Sequence, residues 1–211
     1  MPDSLSGKKL SVIVPVCERV EHTLQLYDEY RGYLSRWVSD VEFIYVISDE
    51  HRDIAQALIA RKASDPALMV LVLNRNYGEA TALAAGCTHA SGEFILKLPP
   101  YRQVVTEELH KLFVPMQDCD LVLASRSPRL DGTANQSQTN LFNFLLNKLS
   151  ATKFHDMGCS VRLIRRVALE EMHLYGNLHR FLPLLARQLG FRSTEVSLSQ
   201  APEDTYKRLY S

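Results

Sequence analysis

The chain has 211 residues, 46% of them hydrophobic, and its 24 Lys+Arg balance 24 Asp+Glu. That size and apolar content suit one globular domain over residues 1–211, and the missing basic excess excludes a general nucleic-acid binder. No run approaches the ~18 apolar residues of a membrane span, and the opening MPDSLSGKKL lacks the apolar core of a signal peptide. Cys17, Cys87, Cys119 and Cys159 form neither a C-x-x-C pair nor a zinc pattern. Buried thiols in a reducing cytoplasm are therefore expected. A net charge near zero protects little against self-association, so a homodimer is an expected state.

In chain order, the apolar β-branched run 10–16 predicts a central strand that ends near Pro15. Leu26, Tyr30, Leu34 and Trp37 then recur at helical spacing, and 41–47 predicts a second strand. Residues 51–64 predict a helix with Ile54, Ala57 and Leu58 inward, closed by Asp65-Pro66. Residues 69–73 predict the third strand. Asn76 and Glu79 have capping-box spacing, and Ala80, Leu83, Ala84 and Cys87 follow on one helical face. These side chains are small, so this helix can lie very close to whatever it covers. Residues 94–98 predict a fourth strand that stops at Pro99-Pro100. Leu109, Leu112, Phe113 and Met116 predict a helix from about Thr106, and 120–125 a fifth strand.

Residues 127–138 are polar and read as a mobile loop, and 141–149 as an amphipathic helix with Phe142, Leu145, Leu146 and Leu149 on one face. A short strand over 159–164, a helix to about Met172, a helix over 179–190 and a strand over 192–199 complete the domain. The tail 200–211 reads as polar and loose. Strands alternating with helices predict an α/β fold, doubly wound about a mostly parallel sheet. Neither G-x-G-x-x-G nor G-x-x-x-x-G-K-[ST] occurs.

Ligands of such sheets sit at the strands' carboxyl ends. Those ends are Pro15-Val16-Cys17-Glu18, Ser48-Asp49-Glu50, Asn74-Arg75-Asn76, Pro99-Pro100-Tyr101 and Ser125-Arg126-Ser127. The mixture of acids, arginines and amides suits a phosphorylated polar ligand, and equally suits ordinary polar turns.

The run Arg75-Asn76-Tyr77-Gly78-Glu79-Ala80-x-Ala82-Leu83-x-Ala85-Gly86-x-x-x-Ala90-x-Gly92 resembles the signature of family 2 glycosyltransferases, in the polyprenyl-phosphate (dolichol-phosphate mannose synthase-like) branch. The likeness continues through Ser125–Arg129, Asp156–Arg166 and His179–Val196. It implies a GT-A fold, a Rossmann-like three-layer sandwich, with a nucleotide-sugar donor, a divalent metal and a lipid-phosphate acceptor. By the same resemblance Pro15, Val16, Glu18, Asp49, Asp53, Arg75, Asn76, Gly78, Tyr101 and Gln103 would line the donor site. Arg126 and Arg129 would clamp phosphate or lie solvated on a loop. Asp156 would be a catalytic general base or an acceptor-side acid, or would only order the turn before the Cys159 strand. Asp49 and Asp53 would hold base and ribose, or only start a helix. His179 and Arg180 would face the site or solvent.

The departures fall on the chemistry. Where the family ends its fourth strand in Asp-x-Asp to hold Mg²⁺ or Mn²⁺, this chain has Pro99-Pro100-Tyr101 and keeps only Gln103. Neither replacement offers a charged ligand to a hard cation, so no metal and no other cofactor is expected. Ser48 stands for the first Asp after the second strand, and the tail lacks the family's Arg and Gly. Two readings follow. One is a glycosyltransferase-like binding or scaffolding protein with impaired catalysis. The other is an active metal-independent transferase whose arginines compensate the diphosphate. The expected partners are a nucleotide sugar, a second copy or an active glycosyltransferase, and a membrane touched peripherally at its inner face.

Overall fold

The computed structural model describes residues 5, 7–130, 154–174, 176 and 178–204. Within them, seven β-branched and leucine-rich segments form one sheet: β1 Lys9–Val16, β2 Asp40–Ile47, β3 Leu68–Val72, β4 Phe94–Lys97, β5 Leu121–Arg126, β6 Arg162–Arg165 and β7 Ser193–Leu198. The spatial order is β3-β2-β1-β4-β6-β5-β7. Only β6 runs antiparallel to its neighbours β4 and β5, and every other pairing is parallel. The carboxyl ends of six strands and the start of β6 therefore share one edge.

The central strands are apolar on both faces because both faces are covered. Val12, Val14, Val16, Phe43, Tyr45 and Ile47 pack beneath α1 (Thr23–Leu34) and α2 (Arg52–Lys62). Ile13, Ile44, Val46, Ile95 and Ile164 pack beneath α3 (Glu79–His89), α4 (Arg166–Glu171) and α5 (Leu182–Gln188). This is the expected three-layer sandwich.

The small-residue helix does lie close to the sheet. A Cβ added at Gly86 would stand 2.6 Å from Ile13 Cγ2. In the turn after the helix the packing is tighter still, at Gly92, where a Cβ would meet Ser11 Oγ at 2.6 Å, Ser11 N at 2.7 Å and Lys9 O at 2.8 Å. Two of those contacts are backbone of a central strand and cannot give way. Gly92→Ala is expected to cost about 1–3 kcal/mol through overpacking, read as a lower urea midpoint at unchanged m-value.

Several boundaries differ from the sequence reading. Asn76 does not cap α3: the helix starts at Glu79 with Gly78 (φ 82°) before it and no side-chain cap. Asn76 instead folds its own turn, its Oδ1 accepting the Gly78 N–H at 2.9 Å. The expected helix from Thr106 is two 3₁₀ segments, Thr106–Leu112 and Val114–Gln117. Its apolar residues come in steps of three, 109 to 112 and 113 to 116, which suits three residues per turn. The expected helix over 179–190 is a 3₁₀ turn, Leu178–Phe181, followed by α5, whose Pro183 lies in its first turn. β1 continues one residue past Pro15, and pairing of β6 begins at Arg162 rather than at Cys159.

The largest correction is the start of the tail, residues 200–204. Gln200, Ala201 and Asp204 are buried, Gln200 bridges to Val104, and the Ala201 N–H donates to Gln103 O at 3.1 Å. The expected loop beyond 130, the helix over 141–149 and residues 205–211 lie outside the described residues, as does the Arg180 side chain. No helix among the described residues is long and apolar enough to cross a membrane.

Candidate active site

At the carboxyl edge the predicted site residues fall into distinct groups. Asn76 ties three strand ends together: its Nδ2 donates to Cys17 O at 2.8 Å and reaches Glu50 Oε2 at 3.4 Å. Arg75 is exposed and lies 4.5 Å over the Tyr77 ring. Asp49 opens the 3₁₀ turn Asp49–His51, and Asp53 sits in the first turn of α2. Glu18 and Asp53 line an open cleft of about 670 Å³ between α1 and α2, with His22, Thr23 and His51. Thr23 Oγ1 and His51 Nε2 are buried there without a hydrogen-bond partner. Pro15 and Val16 are both buried, and Val16 packs into the core.

A second group surrounds the end of β4. Pro99, Pro100 and Tyr101 are all buried. The loop after β1 is fastened over them, the Glu21 N–H donating to Pro100 O at 3.0 Å. From that loop Arg19 lays its guanidinium 4.0 Å above the centre of the Tyr101 ring, a cation–π contact. Gln103 is 1% exposed. Its Oε1 accepts the Ser160 N–H at 2.7 Å and its Nε2 lies 3.3 Å from Tyr101 Oη. It therefore knits β4 to the turn before β6 rather than facing solvent.

Arg19 begins a chain of charges. It donates to Glu21 at 2.8 Å and, through Nη1, to Asp204 Oδ1 at 2.8 Å. Asp204 Oδ2 accepts Arg126 Nη1 at 3.0 Å. Arg126 grips Asp156 with Nε at 2.7 Å and Nη2 at 3.0 Å, and Arg129 Nη1 stands 4.0 Å from the same carboxylate. Asp156 is 2% exposed. Burial alone would raise its pKa, but the Arg126 hydrogen bonds and the charges of Arg126 and Arg129 hold it below the usual carboxylate value. Burial opposes the Arg126 charge, yet Asp156 and Asp204 outweigh it and raise that guanidinium. A carboxylate held this way is a poor proton acceptor.

The third group was not foreseen as one. Lys97 ends β4 directly opposite Arg162 in the antiparallel register, and both are buried. Side chains opposite each other on one face stand within contact reach, so two cations share a pocket beneath α3. Glu79, the first residue of α3, pairs with Lys97 Nζ and with His179 Nε2 at 3.2 Å. Arg162 donates to the carbonyls of His179 and Met157, while Arg162 Nε and His179 Nδ1 are buried without partners. Burial pushes Lys97 down from the ordinary lysine value and Glu79 draws it partly back. Burial would raise Glu79, but Lys97 and His179 outweigh it and hold it well below the carboxylate range. Desolvation, then Glu79, pushes the nearby Cys17 thiol up to about 12, so it stays protonated. The sequence carried the signal: a lysine inside FILKL and an arginine inside VRLI are charges at strand positions that ordinarily hold apolar residues.

No three His, Cys, Asp or Glu side chains among the described residues come together in a way that could hold a metal ion. At the end of β4 the side chains are those of two prolines and a tyrosine with a guanidinium above it, which do not fit a divalent cation.

The glycosyl transferase family 2 model matches residues 11–172, which span β1 through the end of α4. The chain belongs to glycosyl transferase family 2. It is 28% identical over 207 residues to an undecaprenyl-phosphate 4-deoxy-4-formamido-L-arabinose transferase of Yersinia pestis (strain Pestoides F), covering 97% of this chain and 63% of that protein. The enzyme of the same name from Yersinia enterocolitica serotype O:8 / biotype 1B is 27% identical over 214 residues, covering 65% of its length. The chain thus spans a little under two thirds of these family 2 relatives.

Among solved structures, mannosyl-3-phosphoglycerate synthase from Rubrobacter xylanophilus aligns with TM-score 0.74 at 15% identity, covering 99% of this chain and 70% of that one. Glucosyl-3-phosphoglycerate synthase from Mycobacterium tuberculosis, solved with Mn²⁺, UDP and phosphoglyceric acid, aligns with TM-score 0.69 at 15% identity, covering 98% and 74%. At that identity the likeness establishes the GT-A fold alone.

Proposed function

We propose that this family 2 domain binds a nucleotide sugar at its carboxyl edge without a divalent metal and has lost ordinary metal-dependent transfer. It would serve as a binding or scaffolding component in polysaccharide or glycolipid assembly. The observation that carries this reading is the closed end of β4, where Pro99, Pro100 and Tyr101 are buried beneath the Arg19 loop. A diphosphate leaving group needs compensating charge, and preorganised cations are the usual source. Relatives named as undecaprenyl-phosphate sugar transferases support a polyprenyl-phosphate or glycan setting, and a fold neighbour solved with UDP supports the donor class. In this reading the domain works in the cytoplasm at the membrane's inner face, as a homodimer or beside an active glycosyltransferase. The second reading, an active metal-independent transferase, is favoured by the guanidinium groups of Arg19 and Arg126, held together through Asp204.

Calorimetric titration with UDP-, GDP- and dTDP-sugars, with and without Mn²⁺, tests the proposal. One donor class is expected to bind with an affinity that Mn²⁺ leaves unchanged, and with no release of nucleoside diphosphate. A gain of about tenfold or more on adding Mn²⁺, equivalent to ~1.4 kcal/mol, would overturn it. Metal-free turnover would establish the second reading instead.

A further inference from the structure

Asp204 divides its carboxylate between two arginines. One oxygen takes Arg19 Nη1 at 2.8 Å and the other takes Arg126 Nη1 at 3.0 Å. The two guanidinium groups come from opposite sides, one from the loop after β1 and one from the end of β5. Each also has anchors of its own. Arg19 is held by Glu21 through Nε at 2.8 Å and Nη2 at 3.1 Å, and by the Tyr101 ring. Arg126 is held by both oxygens of Asp156. Take Asp204 away and neither arginine loses its place, yet each Nη1 is left aimed at a common point. Asp204 itself is 5% exposed and belongs to the segment after β7, docked through Gln200 Nε2, which donates to its carbonyl at 2.8 Å and to its Oδ2 at 3.1 Å.

We infer that Arg19 and Arg126 form a metal-independent clamp for the diphosphate of a nucleoside diphosphate, and that Asp204 is a displaceable placeholder which keeps the clamp closed. This rests on the reading that the carboxyl edge takes a nucleotide sugar. A phosphate oxygen pair offers the same bidentate pattern as a carboxylate, with more charge. A guanidinium fixed over Tyr101 puts a permanent cation at the end of β4, so no ion need be recruited there. An internal carboxylate competes with any anion that enters, and it scales the apparent affinity down to the fraction of molecules in which it is unseated.

The test uses inorganic pyrophosphate as the probe, titrated calorimetrically in EDTA at low ionic strength. Asp204→Asn is expected to bind about tenfold tighter than the natural chain, because the closed fraction falls. Arg19→Gln is expected to bind at least about tenfold weaker, with Arg19→Lys between, because a charge-assisted bond is lost and then partly restored. Arg61→Gln, on the exposed Arg61–Asp28 pair, is the control and should change nothing. Asp204→Asn binding no tighter, with its melting temperature retained, would overturn the inference, and so would pyrophosphate binding that requires Mn²⁺. The same variants are then titrated with UDP, GDP and dTDP. Pyrophosphate binding that follows the predicted order, with no preference for any nucleoside diphosphate, would leave the clamp standing and remove the nucleotide-sugar reading. A nucleoside diphosphate bound equally by all variants would keep that reading and remove the clamp.

Discussion

Glu79→Gln is expected to destabilise the fold by about 3 kcal/mol, and Lys97→Met in the same chain to restore most of that loss. The reason lies beneath the first turn of α3. Lys97 and Arg162 are neighbours across β4 and β6 at 1% and 2% exposure, and Glu79 is the carboxylate that pairs with Lys97 there. Removing one partner of a buried pair leaves the other without its counter-ion, to stay charged unsolvated or give up its proton, at a cost of roughly 3–5 kcal/mol. The low end applies because 29% of the Glu79 side chain remains exposed. Replacing Lys97 instead removes a buried cation beside another cation and leaves Glu79 its contact with His179. Lys97→Met alone should therefore stay within about 1 kcal/mol of the natural chain.

The pH dependence carries its own sign. The Glu79 carboxyl is held low in the fold, so its contribution is fully present above the unfolded value of about 4.3 and is lost as pH falls through the folded value. The Lys97 ammonium is pushed down, so between its folded value and about 10.4 the unfolded chain binds more protons and stability rises with pH. Urea midpoints of the four chains at acid, neutral and alkaline pH check both statements. A Glu79→Gln loss that does not shrink in acid, or is not relieved by Lys97→Met, would place the interaction elsewhere.

The fold was legible because its signals are periodic and local. Seven apolar runs became seven strands within a residue or two, apart from β6, and the small residues of α3 announced a close approach that Gly86 bears out. The helix ends were harder to read, since Asn76 offers the same atoms to a cap as to a turn. The site was legible at the level of strand ends, and Arg126 and Asp156 do meet. Arg19 and Asp204 escaped notice because they lie 185 residues apart, and no spacing rule links residues joined only by a chain reversal across the sheet edge. The tail read as loose from its polarity alone. In its described part, residues 200–204, Gln200, Ala201 and Asp204 make internal hydrogen bonds, Ala201 to the backbone of Gln103, which sequence composition cannot distinguish from satisfaction by water.

Restoring two carboxylates at the end of β4, Pro99→Asp with Tyr101→Asp, is expected to leave Mn²⁺ binding undetectable until Arg19 is also replaced. Arg19 lies 4.0 Å over the ring of residue 101, so an aspartate there would pair with a guanidinium already in place. At about 4 Å and an effective dielectric near 20, one such charge pair is worth about 4 kcal/mol, and the same guanidinium repels an incoming divalent ion. Adding Arg19→Ser removes both effects and should bring Mn²⁺ binding into the micromolar to millimolar range, read by calorimetry or by water-proton relaxation. Mn²⁺ binding by the double variant with Arg19 intact would show that the guanidinium does not occupy the cation's place. If the triple variant binds and the double does not, then the aspartates at this edge and the arginine are alternative solutions to one electrostatic requirement. Loss of the metal ligands would then be a substitution of one cation for another rather than decay of the site.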